Sequence, residues 1–159
     1  MEYRRAVLAD VPFLTTLRLD MRRERETAPP PADMATFERE VAAYFRTALA
    51  DGSFAGIIAE EGGEIAGTGG ICFHFHPPSY AVPNGRSACL LNMYTVPKFR
   101  GRGVASGILQ HLAEIALEAG CCKMTLNASA AGKPLYLKFG FTEVANEMEL
   151  PLLSVRPGK

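Results

Sequence analysis

The chain has 159 residues, 48% of them hydrophobic, with 17 Lys plus Arg against 17 Asp plus Glu; this length suits one domain with a sizeable core. Balanced charge gives no overall field toward nucleic acid or an anionic membrane, so any anion site must be local. Apolar runs are short and none approaches the roughly 18 residues of a membrane span, and Met1-Glu2-Tyr3-Arg4-Arg5 does not open a secretory signal, so the expectation is a soluble, cytoplasmic protein.

Residues 3–7 read as a short opening strand, and Asp10 as the N-cap of a helix carrying Phe13, Leu14, Leu17 and Met21 on one face. The charged run 22–26 ends it. Three prolines at 29–31 forbid continuation, Asp33 caps a second helix striped by Phe37, Val41, Tyr44 and Phe45, and Gly52 closes that helix. Segments 54–60 and 64–75, separated by Gly62-Gly63, form an antiparallel hairpin. A loop with Pro77, Pro78, Pro83, Asn84 and Gly85 precedes residues 88–96, whose length and content suit a central strand.

From Gly103 the period changes. Val104, Ile108, Leu112, Ile115 and Ala116 recur at helical spacing, and Gly120 is a C-terminal stop. A strand at 123–127, a short helix at 133–138, a turn at Gly140 and final strands at 141–144 and 147–150 complete one mixed sheet with intermixed helices. The chain shows no internal repeat or linker, which predicts one domain over 1–154 and a frayed tail at 155–159.

Cys72 and Cys89 lie in apolar, strand-like runs, while the adjacent Cys121 and Cys122 match no metal or redox spacing. All four read as ordinary thiols that pack as small hydrophobes.

The junction Pro97-Lys98-Phe99-Arg100-Gly101-Arg102-Gly103-Val104-Ala105 joins the central strand to the best-marked helix. A helix N-terminus carries N–H groups without intrahelical partners and the positive end of a dipole, so it binds anions where the chain lets them approach. Gly101 and Gly103 permit that approach, and Arg100 and Arg102 supply cations. Taken alone, the turn reads equally as a solvated basic connection tightened by glycines. A dinucleotide fingerprint does not fit, because the turn comes late and Ser106 stands where a third glycine belongs. A Walker A loop is absent, since Gly132-Lys133 is followed by Pro134.

Met93-Tyr94-Thr95-x-Pro97-x-x-Arg100-Gly101-x-Gly103-x-Ala105 resembles the acetyl-CoA signature of GNAT acetyltransferases, which centres on Arg/Gln-x-x-Gly-x-Gly/Ala. Downstream, Leu135-Tyr136-x-x-x-Gly140-Phe141 resembles the family's second signature. The resemblance is strongest over 90–141. It implies an α/β (α+β) fold with a central mixed, mostly antiparallel sheet, splayed at the acetyl-CoA site and flanked by about four helices. The implied activity is acetyl transfer from acetyl-CoA to a primary amine, directly within a ternary complex.

By the same resemblance the backbones of Met93, Tyr94 and Thr95 pair with pantetheine and polarise the acetyl carbonyl. The amides of Arg100, Gly101, Arg102, Gly103, Val104 and Ala105 hold the pyrophosphate, with the two arginine side chains in support. Tyr136 matches the general acid that protonates the leaving thiolate; on spacing alone it is also a core aromatic beside Phe139 and Phe141. Many family members carry an Asn seven residues before that tyrosine, where this chain has Ser129; Ser129 or Asn127 takes its place in contacting CoA. No general base is assigned.

His74 and His76 share one face of a regular strand and are candidates for a substrate-facing role, or with His111 for a metal, though the expectation is no metal site. Asn92 is a candidate by adjacency to Met93. Asp20, Glu24 and Glu26 are candidates for attracting a cationic amine; otherwise they balance Arg22, Arg23 and Arg25 on an exposed helix end. A pocket near Cys72, Cys89 and Tyr136 would set acyl length, and Cys89 lies in the right strand but looks like core. Apolar residues in 148–155 suit a homodimer interface or the core itself. The competing reading is a catalytically idle domain that senses acyl-CoA or serves as an interaction module.

Overall fold

The computed structural model describes residues 1–144 and Met148. In chain order it has β1 (Glu2–Arg5), a 3-10 turn (Leu8–Asp10), α1 (Val11–Arg25), α2 (Met34–Asp51), β2 (Phe54–Glu61), β3 (Glu64–Phe75) and β4 (Arg86–Thr95). A second 3-10 turn (Pro97–Phe99), α3 (Val104–Glu118), β5 (Lys123–Leu126) and α4 (Lys133–Phe139) follow. The five strands form one sheet in the order β1-β2-β3-β4-β5, antiparallel except for the parallel pair β4–β5. This is the mixed, mostly antiparallel α/β architecture expected, with four helices.

Strand pleating divides the core into two layers. Ile57 and Ala59 of β2 pack with Ile71, Leu90 and the α3 residues Val104, Ile108 and Leu112, whereas Phe54 and Ile58 turn to Leu14, Val41 and Phe45 of α1 and α2. Alternate residues of one strand thus serve opposite layers, and β2 is apolar on both faces because both are covered. Phe45 and Phe54 meet edge to face at 5.4 Å, a favourable aromatic geometry.

Most element ends follow local chemistry. The Asp33 carboxylate accepts from Thr36 N–H at 2.9 Å, and Gly52 closes α2 in the left-handed region, both as expected. Asp10 stands at the N-cap position of α1 but does not cap it. Its carboxylate instead accepts from Val7 N–H at 2.8 Å and from both terminal nitrogens of Arg4 at 2.7 and 2.8 Å. A guanidinium gives a stronger, charge-assisted partner than the helix amides, so Asp10 ties β1 to the turn before α1.

The strand expected at 141–144 is not formed. Phe141 N–H is used to close α4 on Tyr136 O, and among the described residues 141–144 has no ladder partner. The expected strand at 147–150, the interface candidate 148–155 and the tail 155–159 lie outside the described residues, apart from Met148. No helix among the described residues is long and apolar enough to cross a membrane.

Candidate active site

At the centre of the fold, α3 points its N-terminus at the loop after β4. Gly103 is the N-cap residue in the left-handed conformation (φ 81°) and Gly101 has φ 74°. The first hydrogen bond into the helix runs from Gly107 N–H to Gly103 O. Among the described residues the N–H groups of 101–106 therefore donate to no protein acceptor. A Cβ at Gly101 or Gly103 would meet nothing within 4 Å, so these glycines leave open space over a row of free donors. That arrangement fits a pyrophosphate.

The two arginine side chains are held to the flanks. Arg100 donates to Thr95 O at 3.0 Å and to Glu24 at 2.6 Å, and Arg102 pairs with Glu61 at 2.5 Å. The donors that the turn leaves free are therefore those of its backbone.

Beside the turn, β4 parts from β5. Their register runs from Ser87↔Lys123 to Leu90↔Leu126 and stops, while β4 continues to Thr95. The outer edge of 91–95 is thus left without a β5 partner, which is the splay expected. On its inner edge β4 carries a bulge: Leu91 pairs with Gly70 and Tyr94 with Thr68, so Asn92 and Met93 oppose Gly69 alone. Asn92 takes a left-handed φ of 57°. Asn tolerates this better than most side chains do. The extra residue changes the pleat, sending Met93 to the α3 layer and Tyr94 to Leu17 and Met21 of α1.

A cleft of about 540 Å³ opens on the α1–α2 side at this bulge. Asn92 and Met93 of β4, Asn127 after β5, and Tyr136 of α4 all line it. Tyr136 is 6% exposed and packs edge to face on Phe141 at 5.8 Å, while among the described residues no hydrogen bond engages its hydroxyl. Burial raises its pKa above the usual 10.0, with Arg25 opposing in part. It is a core aromatic and a protonated donor at the cleft wall at once. Cys89 also lines the cleft and Cys72 does not; Cys72 shares a 2.8 Å contact with the Tyr44 hydroxyl.

Other candidates fall elsewhere. Ser129 accepts from Gly132 N–H at 3.1 Å, opening α4, and from Arg25 at 2.6 Å, so between the two alternatives for the missing Asn it is Asn127 that faces the cleft. His74 and His76 do share a face, with rings stacked at 6.0 Å, but both are exposed and neither lines the cleft. His111 stacks on Tyr3 at 4.8 Å on the α3 side of the sheet. Among the described residues no group of three His, Cys, Asp or Glu is placed to hold a metal.

The acids of α1 do not form an amine trap. Asp20 pairs with Arg23, Glu26 with Arg22, and Glu24 with Arg100 and the Tyr94 hydroxyl, and none of the three lines the cleft. The cleft instead receives Arg18, Arg22 and Arg25 from α1. A helix of 3.6 residues per turn sends i, i+4 and i+7 to one face, so that signal was present in the sequence. It was masked by the acids interleaved with it.

Residues 17–141 match the model of the acetyltransferase (GNAT) family. A predicted acetyltransferase from Clostridium acetobutylicum, crystallised with acetyl-CoA, is 35% identical, covers 98% of this chain and 99% of its own, and superposes with a TM-score of 0.88. A GCN5-related N-acetyltransferase from Ralstonia eutropha is 27% identical over 96% and 99% of the two chains, with a TM-score of 0.85. Among curated relatives, thialysine N-epsilon-acetyltransferase of Bos taurus is 40% identical over 48 residues, 30% of this chain and 28% of that protein. Glucosamine 6-phosphate N-acetyltransferase of Trypanosoma brucei is 36% identical over 56 residues, 35% and 38% of the two. These matches therefore span well under half of the curated relatives' length.

Proposed function

Because the chain belongs to the GNAT acetyltransferase family, we propose that it is an acetyl-CoA-dependent N-acetyltransferase acting directly on an amine. The observation that carries this reading is the row of free N–H groups over 101–106 next to the unpaired edge of β4, with a buried tyrosine on the adjoining cleft.

The turn's amides and the α3 dipole hold the pyrophosphate, and Gly101 and Gly103 let it approach the backbone. The free edge of 91–95 offers backbone groups to an extended pantetheine arm in the manner of an added strand. Acetyl-CoA supplies an activated thioester, whose C–S bond is exchanged for a C–N bond as the amine attacks the carbonyl carbon. Tyr136 delivers its hydroxyl proton to the departing sulfur, while nitrogen sheds its surplus proton to solvent, from which the Tyr136 phenolate is reprotonated. Burial keeps that hydroxyl protonated until it is needed. Direct transfer is favoured because Cys89, the one thiol on the cleft wall among the described residues, is half-buried in β4 with its thiol turned to the Leu90 carbonyl at 3.9 Å.

The test is calorimetric titration with acetyl-CoA, followed by thiol release against a panel of amines. Wild type binds, Gly103→Glu does not, and Tyr136→Phe binds without turning over at the wild-type rate. Binding by wild type with no turnover on any amine points to the acyl-CoA sensor instead. No binding overturns the reading.

A further inference from the structure

Two guanidinium groups of the cleft, those of Arg18 and Arg25, meet no carboxylate among the described residues. Arg22 is paired with Glu26 at 2.8 Å and Arg25 donates to Ser129 at 2.6 Å. Arg18 meets no carboxylate among the described residues, and its side-chain partner is Asn92 Oδ1 at 3.3 Å. A guanidinium has donors only, so the amide oxygen must be the atom that faces it, which fixes the orientation of the Asn92 amide. Nδ2 is left buried without a partner on a side chain that is 4% exposed.

Both residues line one cleft, where Asn92 orients the Arg18 guanidinium and leaves it further N–H groups to donate. A ligand atom seated against them must be an acceptor, and a half-buried guanidinium is best matched by negative charge. Burial and the neighbouring Arg22 charge lower the basicity of Arg18, the mark of a cation without its counter-ion. The backbone agrees, since Asn92 is the one non-glycine residue with positive φ among those described. Glycine would adopt that conformation without strain, so the side chain itself has a use.

Resting on the acetyl-transfer reading, we propose that the acceptor amine carries a carboxylate, which the Arg18 guanidinium, positioned by Asn92 Oδ1, holds on the α1–β4 wall of the cleft. The planar fork of one arginine matches the two oxygens of a carboxylate. A polyamine would instead face three arginines with Glu40 as the sole carboxylate among the lining residues.

The experiment compares matched acceptors on the full chain with saturating acetyl-CoA: amino acids, their carboxamides, their decarboxylated amines, and aminoalkyl phosphates. The expected result is that the carboxylate member of each reactive set has kcat/KM at least about tenfold higher. Arg18→Gln should bring that ratio close to one by raising the KM for the carboxylate acceptor, with the KM for acetyl-CoA unmoved. Equal or better use of the carboxamide, amine or phosphate overturns the inference while the acetyl-transfer reading stands, as does turnover of none of these sets by a protein that binds acetyl-CoA. Arg18→Gln raising the KM for acetyl-CoA instead would assign Arg18 to the cofactor and also overturn it. The wild-type comparison needs no variant, so it holds even if Arg18→Gln fails to fold. Failure to bind acetyl-CoA at all removes the underlying reading.

Discussion

The Tyr94 hydroxyl donates to the Glu24 carboxylate at 2.7 Å, joining the strand before the glycine turn to the last turn of α1. The same carboxylate takes Arg100 at 2.6 Å, and the Arg100 guanidinium lies 5.6 Å over the Tyr94 ring. Burial, reinforced by Glu24, pushes the Tyr94 pKa up to about 12, so it remains a donor. The Tyr94 and Arg100 bonds hold Glu24 below its usual range, so it remains charged.

Loosening this joint should weaken acetyl-CoA binding modestly. For Glu24→Gln the expected change in Kd is about two- to fivefold, the size of an exposed ion pair's contribution. The ratio of variant to wild type should shrink between about 0.05 and 1 M salt as screening removes the wild-type advantage. A ratio insensitive to salt would mean that Glu24 acts through shape rather than charge.

Gly69 faces the β4 bulge so closely that a Cβ there would lie 2.3 Å from Met93 Sδ and 2.6 Å from Ile108 Cγ2. Gly69→Ala should cost about 1–3 kcal/mol of stability, as overpacking does. Denaturant unfolding gives that figure. A neutral result would show that the bulge has room to shift.

Tyr136→Phe should lower kcat by about 10²–10⁴, the usual contribution of a general acid, with the KM for acetyl-CoA little changed. Since a general acid must be protonated and burial raises Tyr136 above 10.0, wild-type kcat should show no alkaline decline below pH 10. An alkaline limb in that range that persists in the Phe variant would belong to another group.

Asp10 is held below the ordinary carboxylate value of 3.8, chiefly by the Arg4 guanidinium and also by Val7 N–H. A depressed folded pKa stabilises the fold fully above the unfolded value and ceases to do so as pH falls through the depressed one. Asp10→Asn should therefore cost about 2 kcal/mol at pH 7. The gap between variant and wild type should narrow as pH drops below 3.8. Equal stability at neutral pH would show that the Arg4 bond contributes nothing net.

Much of this molecule was legible residue by residue. Asp33 and Gly52 bound α2, Gly62-Gly63 turns the hairpin, and the spacing of Val104, Ile108 and Leu112 marks α3, because caps, turns and amphipathic faces depend on neighbours a few positions away. The glycine turn that opens α3 was legible for the same reason. Its donors are backbone groups at a helix start, which two glycines expose whatever the rest of the chain does.

Side-chain partnerships were not legible in this way. Asp10 suits a helix cap by position, yet Arg4 claims it, and the Ser129 hydroxyl accepts from Gly132 N–H and from Arg25, more than a hundred positions away. Glu24 meets Tyr94 across 70 positions and Arg18 meets Asn92 across 74. Sequence alone determined where glycines open the start of a helix whose first N–H groups have no intrahelical partner. Only the tertiary structure decided that the cleft beside it is cationic, because charges far apart in the chain cancel or survive according to which of them the sheet and helices bring together.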